Sequence, residues 1–154
     1  MAQNTGYPLP VYNYRVTINE DGDSVSFAVS EVSGLSMEYE SVTYKHGLSF
    51  VLGSKIIPGM RQPTKITMKR GIIQSRDYLH KWIHNTYTDP FYMDSKRDIL
   101  IDLCDAEGTA VIRWRVKNAL PVKLDASDFD VNSNEVAFET MEFIAHSLTI
   151  DYDP

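Results

Sequence analysis

The sequence predicts a mainly β fold, an antiparallel β-sandwich or barrel with one packed α-helix, built as a single domain over residues 1–154. Three observations carry this expectation. Apolar and polar residues alternate at period two along most of the chain, turn-forming residues separate the alternating runs, and one segment alone switches to helical spacing. No linker, internal repeat or low-complexity tract divides the 154 residues, a length that suits one hydrophobic core.

The first strand is expected over Tyr12–Ile18, with Tyr12, Tyr14, Val16 and Ile18 on a buried face against Asn13, Arg15 and Thr17. Asp21-Gly22, inside a short polar interruption, signals a hairpin, and Val25, Phe27 and Val29 resume the alternation. From Met37 to Lys45 the pattern changes. Glu38, Glu40, Val42 and Tyr44 share one face while Met37, Tyr39, Ser41 and Thr43 share the other, so neither face suits a core. Such a strand is expected to leave the body, with water on one side and another subunit on the other. Phe50–Ile57 would continue this arm, and Pro58-Gly59 would turn the chain. Ile66 and Met68, alternating with Lys65, Thr67 and Lys69, mark the next strand.

Between Ser75 and Thr88 the apolar residues Tyr78, Leu79, Trp82 and Ile83 recur at helical spacing and form the expected core face of the helix. Ser75 can cap its start, and Asp89-Pro90 stands where it would stop. A second hairpin follows: Ile99, Ile101 and Leu103, a turn at Asp105–Gly108, then Ala110, Ile112, Trp114 and Val116, with Arg113, Arg115 and Lys117 facing away. The last strand, Glu135 to about Ile150, starts with Val136 and Phe138 on one face and continues with Met141, Phe143 and Ala145 on the other, which predicts a bulge near Thr140.

The composition argues against several function classes. No apolar stretch approaches the ~18 residues that a membrane span needs, so no stable membrane insertion is expected. The first residues lack the basic run, apolar segment and cleavage site of a secretory signal, so any exit from the cell is expected by another route. A net charge of −6, with no basic cluster interleaved with aromatics, disfavours sequence-specific nucleic-acid binding. The single cysteine, Cys104, is expected to pack in the core. Asp128, Asp130, Asn132 and Asn134, with Glu139 further on, mimic the spacing of a calcium loop, but Ser133 replaces the sharp-turn glycine and a strand pattern follows. His80 and His84 lie one helical turn apart with no third ligand and no zincin glutamate, and read as a solvated face. Neither a nucleophile–base pair nor a phosphate loop can be assembled, and Glu38 with Glu40 suits a charged wall better than an acid/base pair. No catalytic residue, metal or cofactor is expected.

Tyr14-Arg-Val-Thr-Ile18, Glu31-Val-Ser-Gly-Leu35, Glu38-Tyr-Glu40, Tyr44-Lys-His-Gly47, Pro58-Gly59, Ile66-Thr-Met-Lys-Arg-Gly71, Asn118-Ala-Leu-Pro121 and Asn134–Glu142 stand in an order and spacing that resembles the tube proteins of phage tails and of extracellular contractile injection systems. The resemblance spans nearly the whole chain. It departs at His46, where an acidic residue is usual, at Leu120, where tryptophan is frequent, and in the acidic loop Asp125–Asp130.

What the resemblance implies is a hexameric ring with one continuous barrel around a lumen, stacking within a contractile sheath. The partners implied are further copies of the chain, a sheath protein, baseplate or tube-initiator and spike proteins, and cargo in the lumen, with assembly in a bacterial cytoplasm and release in an extracellular or virion-like particle. Candidate lumen-facing residues are Glu38, Glu40, Lys65, Thr67, Lys69, Glu139 and Glu142. Candidates for ring assembly and stacking are Tyr44, Lys45, His46, Gly47, Phe50, Lys55, Pro58 and Gly59. The alternatives are the tail tube of a contractile-tailed phage conducting DNA, the related tube of type VI secretion, and a ligand-binding or hydrolytic β-sandwich.

Overall fold

The computed structural model describes residues 8–20, 23–48, 53–72, 77–88 and 96–154. In chain order these form β1 (Tyr14–Glu20), β2 (Asp23–Phe27), β3 (Glu31–Ser33), β4 (Tyr39–Tyr44), β5 (Lys55–Arg61), β6 (Thr64–Gly71), α1 (Tyr78–Thr88), β7 (Arg97–Cys104), β8 (Ala110–Ala126), β9 (Phe138–Ala145) and β10 (Ser147–Asp151). Eight of the strands make one antiparallel sheet in the order β2-β1-β7-β8-β9-β6-β3, with β10 also on β8, while β4 and β5 pair only with each other.

The sheet folds over on itself because β8 serves both halves. Its first half lies between β7 and β10, and its second half, from Leu120, pairs with β9. A one-residue register shift against β7 falls between Val116 and Ala119, where Asn118 has φ 55°, and a second against β9 falls between Pro121 and Lys123. Such bulges bend and twist a strand, which carries β8 from one layer into the other. Among the described residues no strand covers β8's second edge beyond Ala119, and Pro121, which has no N–H to offer, is tolerated there.

The alternation read from the sequence places the core. Val16, Ile18, Ile99, Ile101, Val116 and Leu148 from one layer meet Ile66, Met68, Met141, Phe143 and Ala145 from the other in a single buried cluster. Cys104 is buried as expected. The helix α1 closes this core with Leu79, Trp82 and Thr86 buried and Tyr78 and Ile83 packed at the flanks. The Trp82 ring lies 5.1 Å from that of Phe143, and Tyr78 lies 5.2 Å from Phe27. The Arg97 guanidinium sits over both Tyr78 and Trp82, at 5.0 and 4.9 Å. Tyr87 donates its hydroxyl to the Pro121 carbonyl at 2.8 Å, fixing the helix to the bent part of β8.

Several expectations are corrected. Tyr12 is exposed in a turn ahead of β1, because Asn13 is tied to the β7–β8 turn: its carbonyl accepts from the Cys104 amide and its side chain donates to the Asp105 carbonyl. Pro58-Gly59 does not turn the chain. It lies inside β5 at a bulge, where Gly59 and Met60 stand against the single residue Glu40 of β4, and a Cβ on Gly59 would come within 2.7 Å of the Glu40 carbonyl oxygen. No slip occurs at Thr140: β9 keeps one register against β6 from Phe138 to Ala145, Val136 precedes the strand, and the irregularity sits on β8. The β1–β2 hairpin forms with Glu20 opposite Asp23, while the Asp21-Gly22 turn, Ser75 and Asp89-Pro90 lie outside the described residues.

Candidate assembly surfaces

The layer formed by β3, β6, β9 and the second half of β8 turns a polar face outward. Cross-strand register puts Glu31 beside Lys69, Ser33 beside Thr67, Thr67 beside Glu142, Lys69 beside Thr140, Glu142 beside Lys123 and Thr140 beside Asp125. The charges on this face balance, with Lys65, Lys69 and Lys123 against Glu31, Asp125 and Glu142. Two ion pairs join them, Lys65–Glu142 at 3.2 Å and Lys123–Asp125 at 3.0 Å. The Lys123 ammonium is held above its usual range by the hydrogen bond to Asp125, and further by the charges of Asp125 and Glu142. Lys69 lies 3.7 Å from the centre of the Phe138 ring. Both margins of this layer, β3 on one side and β8 beyond Ala119 on the other, have no strand beside them among the described residues.

The expected lumen residues therefore divide. Lys65, Thr67, Lys69 and Glu142 share the polar face. Glu139 does not: it alternates onto the core side of β9, where its carboxylate meets Arg70 at 2.5 Å with both side chains largely buried. Grouping Glu139 with Glu142 is corrected because the two stand three positions apart in a strand of unbroken register, and an odd spacing reverses the face. Glu38 and Glu40 are exposed on the arm and belong to neither layer. Glu31, Lys123, Asp125 and Thr140, not among the expected residues, join the polar face. Alternation would have found Lys123 and Asp125 had the sequence shown that β8 runs on to Ala126.

The arm itself is the β4–β5 hairpin, exposed along almost its whole length and carrying large apolar side chains at Tyr39, Val42, Tyr44, Ile56, Ile57 and Met60. Its root is fastened to the body: Arg61 donates to the Leu148 carbonyl and the Gln62 amide donates to the Glu38 carbonyl at 2.9 Å. Of the residues expected to assemble rings, Tyr44, Lys45, His46, Gly47, Lys55, Pro58 and Gly59 all lie on this arm, and Phe50 is outside the described residues. His46 accepts the Leu48 amide at Nδ1, 3.1 Å, and its ring lies 5.9 Å from that of Tyr44.

The outer face of the other layer carries a charge ladder. Asp102, almost fully buried, takes two hydrogen bonds from Arg113, at 2.6 and 3.1 Å, and lies 3.5 Å from Arg15. The bonds to Asp102 raise the Arg113 pKa above its ordinary value. Among the described residues no group of three or more His, Cys, Asp or Glu side chains could hold a metal ion. His80 and His84 stack 6.1 Å apart on the exposed side of α1, and Asp130 of the calcium-like run accepts the Asn132 amide within its own turn.

Three comparisons bear on this geometry. Residues 10–149 match the family of the T4-like virus tail tube protein gp19. A search of curated protein sequences gives no significant match. Among solved structures, a chain of the extended sheath–tube complex of the extracellular contractile injection system PVC superposes with a TM-score of 0.82 at 29% identity, covering 96% of this chain and 93% of that one. A chain of the tube-terminating cap of the anti-feeding prophage superposes with a TM-score of 0.83 at 28% identity, covering 99% of each. Hcp1 from Flavobacterium johnsoniae shares the fold, with a TM-score of 0.52 at 16% identity over 90% of this chain and 95% of that one. With the match running over nearly its whole length, the chain belongs to the tail tube family of T4-like virus gp19.

Proposed function

We propose that this protein is the subunit of the inner tube of a contractile injection system, with six copies closing into a ring and the rings stacking into a rigid conduit. The observation that carries this reading is a layer with a polar, charge-paired outer face and two uncovered strand edges. An uncovered edge presents unpaired backbone groups, and closing the layers of several copies edge to edge removes every edge at once. Barrels of about 8 strands fill their interior with side chains, whereas those of 16 or more enclose water. Four strands from each of six copies lie well beyond the second limit, so the bore is open. Lys65, Thr67, Lys69 and Glu142 then line it, and Glu38 and Glu40, at the arm's root, stand at its rim.

In this role the protein has no chemistry to perform and needs no cofactor. A sheath outside the tube, a baseplate or initiator and a spike at its ends, and cargo within are the partners, with assembly in the bacterial cytoplasm before release in the particle. The relatives from injection systems, 28 to 29% identical over almost the full chain, favour this machine. The second reading, the tail tube of a contractile-tailed phage, is favoured by the family match itself. Cryo-electron microscopy of the purified polymer tests the proposal. Stacked sixfold rings with Thr67 and Glu142 in the bore are expected. A protein that stays monomeric at high concentration, or rings that turn this face outward, would overturn it.

A further inference from the structure

The outward side of α1 carries a pair of groups that neither the core nor the polar layer uses. His80 and His84 stand four positions apart, which puts them one turn apart on the same face of the helix. Both side chains are exposed, and their rings lie 6.1 Å apart with 22° between the planes. Neither ring has a hydrogen-bond partner among the described residues, so their nitrogens meet water. Lys81 is held by Asp77 at 3.3 Å, which offsets its charge beside the pair. On the inward side Leu79, Trp82 and Thr86 are buried, and Tyr87 ties the helix to the Pro121 carbonyl. The backbone under the two histidines is therefore fixed, while their rings turn without breaking a bond.

A cation bonded to one nitrogen of each ring at about 2.0–2.1 Å lies about 3.2 Å from each ring centre. The two centres then stand about 4.5–5.2 Å apart for a bond angle between square and tetrahedral, and about 6.4 Å apart at most. The observed 6.1 Å is inside that limit, and closing by about 1–1.6 Å needs only rotation of two exposed side chains. We propose that His80 and His84 form a bidentate site for a divalent transition cation, with water in its remaining positions. Two neutral imidazoles without a carboxylate select Cu²⁺, Ni²⁺ or Zn²⁺ over Mg²⁺ and Ca²⁺, and hold Cu²⁺ most tightly. With no third protein ligand among the described residues, the site is not a closed structural centre. What it changes is stability. A cation spanning this turn binds the folded helix in preference to the unfolded chain, and α1 closes the core through Trp82. The site belongs to the single subunit and does not depend on the tube reading.

Calorimetric titration of the untagged chain with Cu²⁺, Ni²⁺ and Zn²⁺ tests it, and one cation per chain is expected. At about a hundredfold excess over Kd, the cation should raise the melting temperature of this 154-residue chain by up to about 8 °C. His80→Ala and His84→Ala alter exposed side chains and should leave the fold intact, judged by circular dichroism. Each should weaken binding by about tenfold or more, because the second nitrogen joins in an intramolecular step. Combining His84→Asn with Asn85→His keeps the composition but breaks the spacing, and should weaken binding as much. Unchanged affinity in this exchanged variant overturns the chelate, as does binding that survives both alanine variants and so belongs to His46 or His146. One cation per two chains, with a dimer seen by light scattering, would put one histidine from each of two copies on the metal and refute the site equally. An equal rise in melting temperature with Mg²⁺, or no heat of binding with Cu²⁺, also refutes it.

Discussion

Truncating Trp82 to alanine probes the packing that joins the helix to both layers. The side chain is 1% exposed, its ring meets Phe143 at 5.1 Å and Tyr78 at 6.4 Å, and the Arg97 guanidinium covers it at 4.9 Å. Burying an aromatic of about 150–250 Å² at about 25 cal/mol per Å² gives roughly 4–6 kcal/mol as an upper bound. Measured truncations of buried Phe or Trp cost about 3–5 kcal/mol, below that bound. For 154 residues, an unfolding entropy of about 2.1 cal/mol/K per residue makes 1 kcal/mol equal to about 3 °C. Trp82→Ala should therefore lower the melting temperature of the unassembled subunit by about 9–15 °C, read by circular dichroism, or abolish soluble expression. Trp82→Phe, which keeps a ring against Phe143, should lose less. A drop below about 3 °C for the alanine variant, with the helix signal intact, would refute the assignment of Trp82 to the core and leave it free for some other role.

Gly34 and Gly108 have nearly the same backbone, φ +87° and +83°, but a Cβ on Gly34 would lie 2.1 Å from the Lys65 carbonyl oxygen while one on Gly108 meets nothing within 4 Å. Gly108→Ala should cost about 1–2 kcal/mol from its conformation alone, and Gly34→Ala distinctly more; equal melting temperatures for the two variants would show that the close approach has no energetic weight. The Arg70–Glu139 pair gives a different comparison, because truncating Glu139 removes a carboxylate 2.5 Å from the buried Arg70 guanidinium while replacing both removes the buried charges together. Glu139→Ala should destabilise by about 3–5 kcal/mol in urea unfolding, whereas Arg70→Met with Glu139→Leu should fall within about 1 kcal/mol of the native protein, and equal losses in the two variants would sink that reasoning.

Where local patterning governs, the sequence was legible. The β1–β2 and β7–β8 hairpins, the core face of β6 and the helix around Trp82 follow from alternation and spacing, because each residue's face is set by its immediate neighbours. The two-faced polarity of Met37–Lys45 likewise foretold an arm apart from the main sheet, though not that β4 pairs back on β5 as a hairpin. What escaped was non-local. The extension of β8 through Asn118-Ala-Leu-Pro121 to Ala126 breaks alternation at two bulges and contains a proline, so its period is hidden, and with it the placement of Lys123 and Asp125. Glu139 was grouped with Glu142 because a phase slip was expected near Thr140, between them, whereas β9 keeps one register from Phe138 to Ala145. Pro58-Gly59 carries turn chemistry, yet tolerance of the bulged hairpin beside Glu40 decides its place within β5.

The continuity of β8 has a mechanical consequence. Two layers that merely rest against each other bend by sliding, and their stiffness is no more than the sum of the two. Here a single seventeen-residue strand passes from one layer into the other, paired first with β10 and then with β9, and the register shifts by one residue between Pro121 and Lys123. The layers are thereby coupled against shear, like the two flanges of a girder joined by a web. Resistance to bending in such a section grows steeply with the separation of its flanges, which for stacked sheets is about 10 Å. A wall so constructed transmits an end-on thrust as compression along its whole thickness.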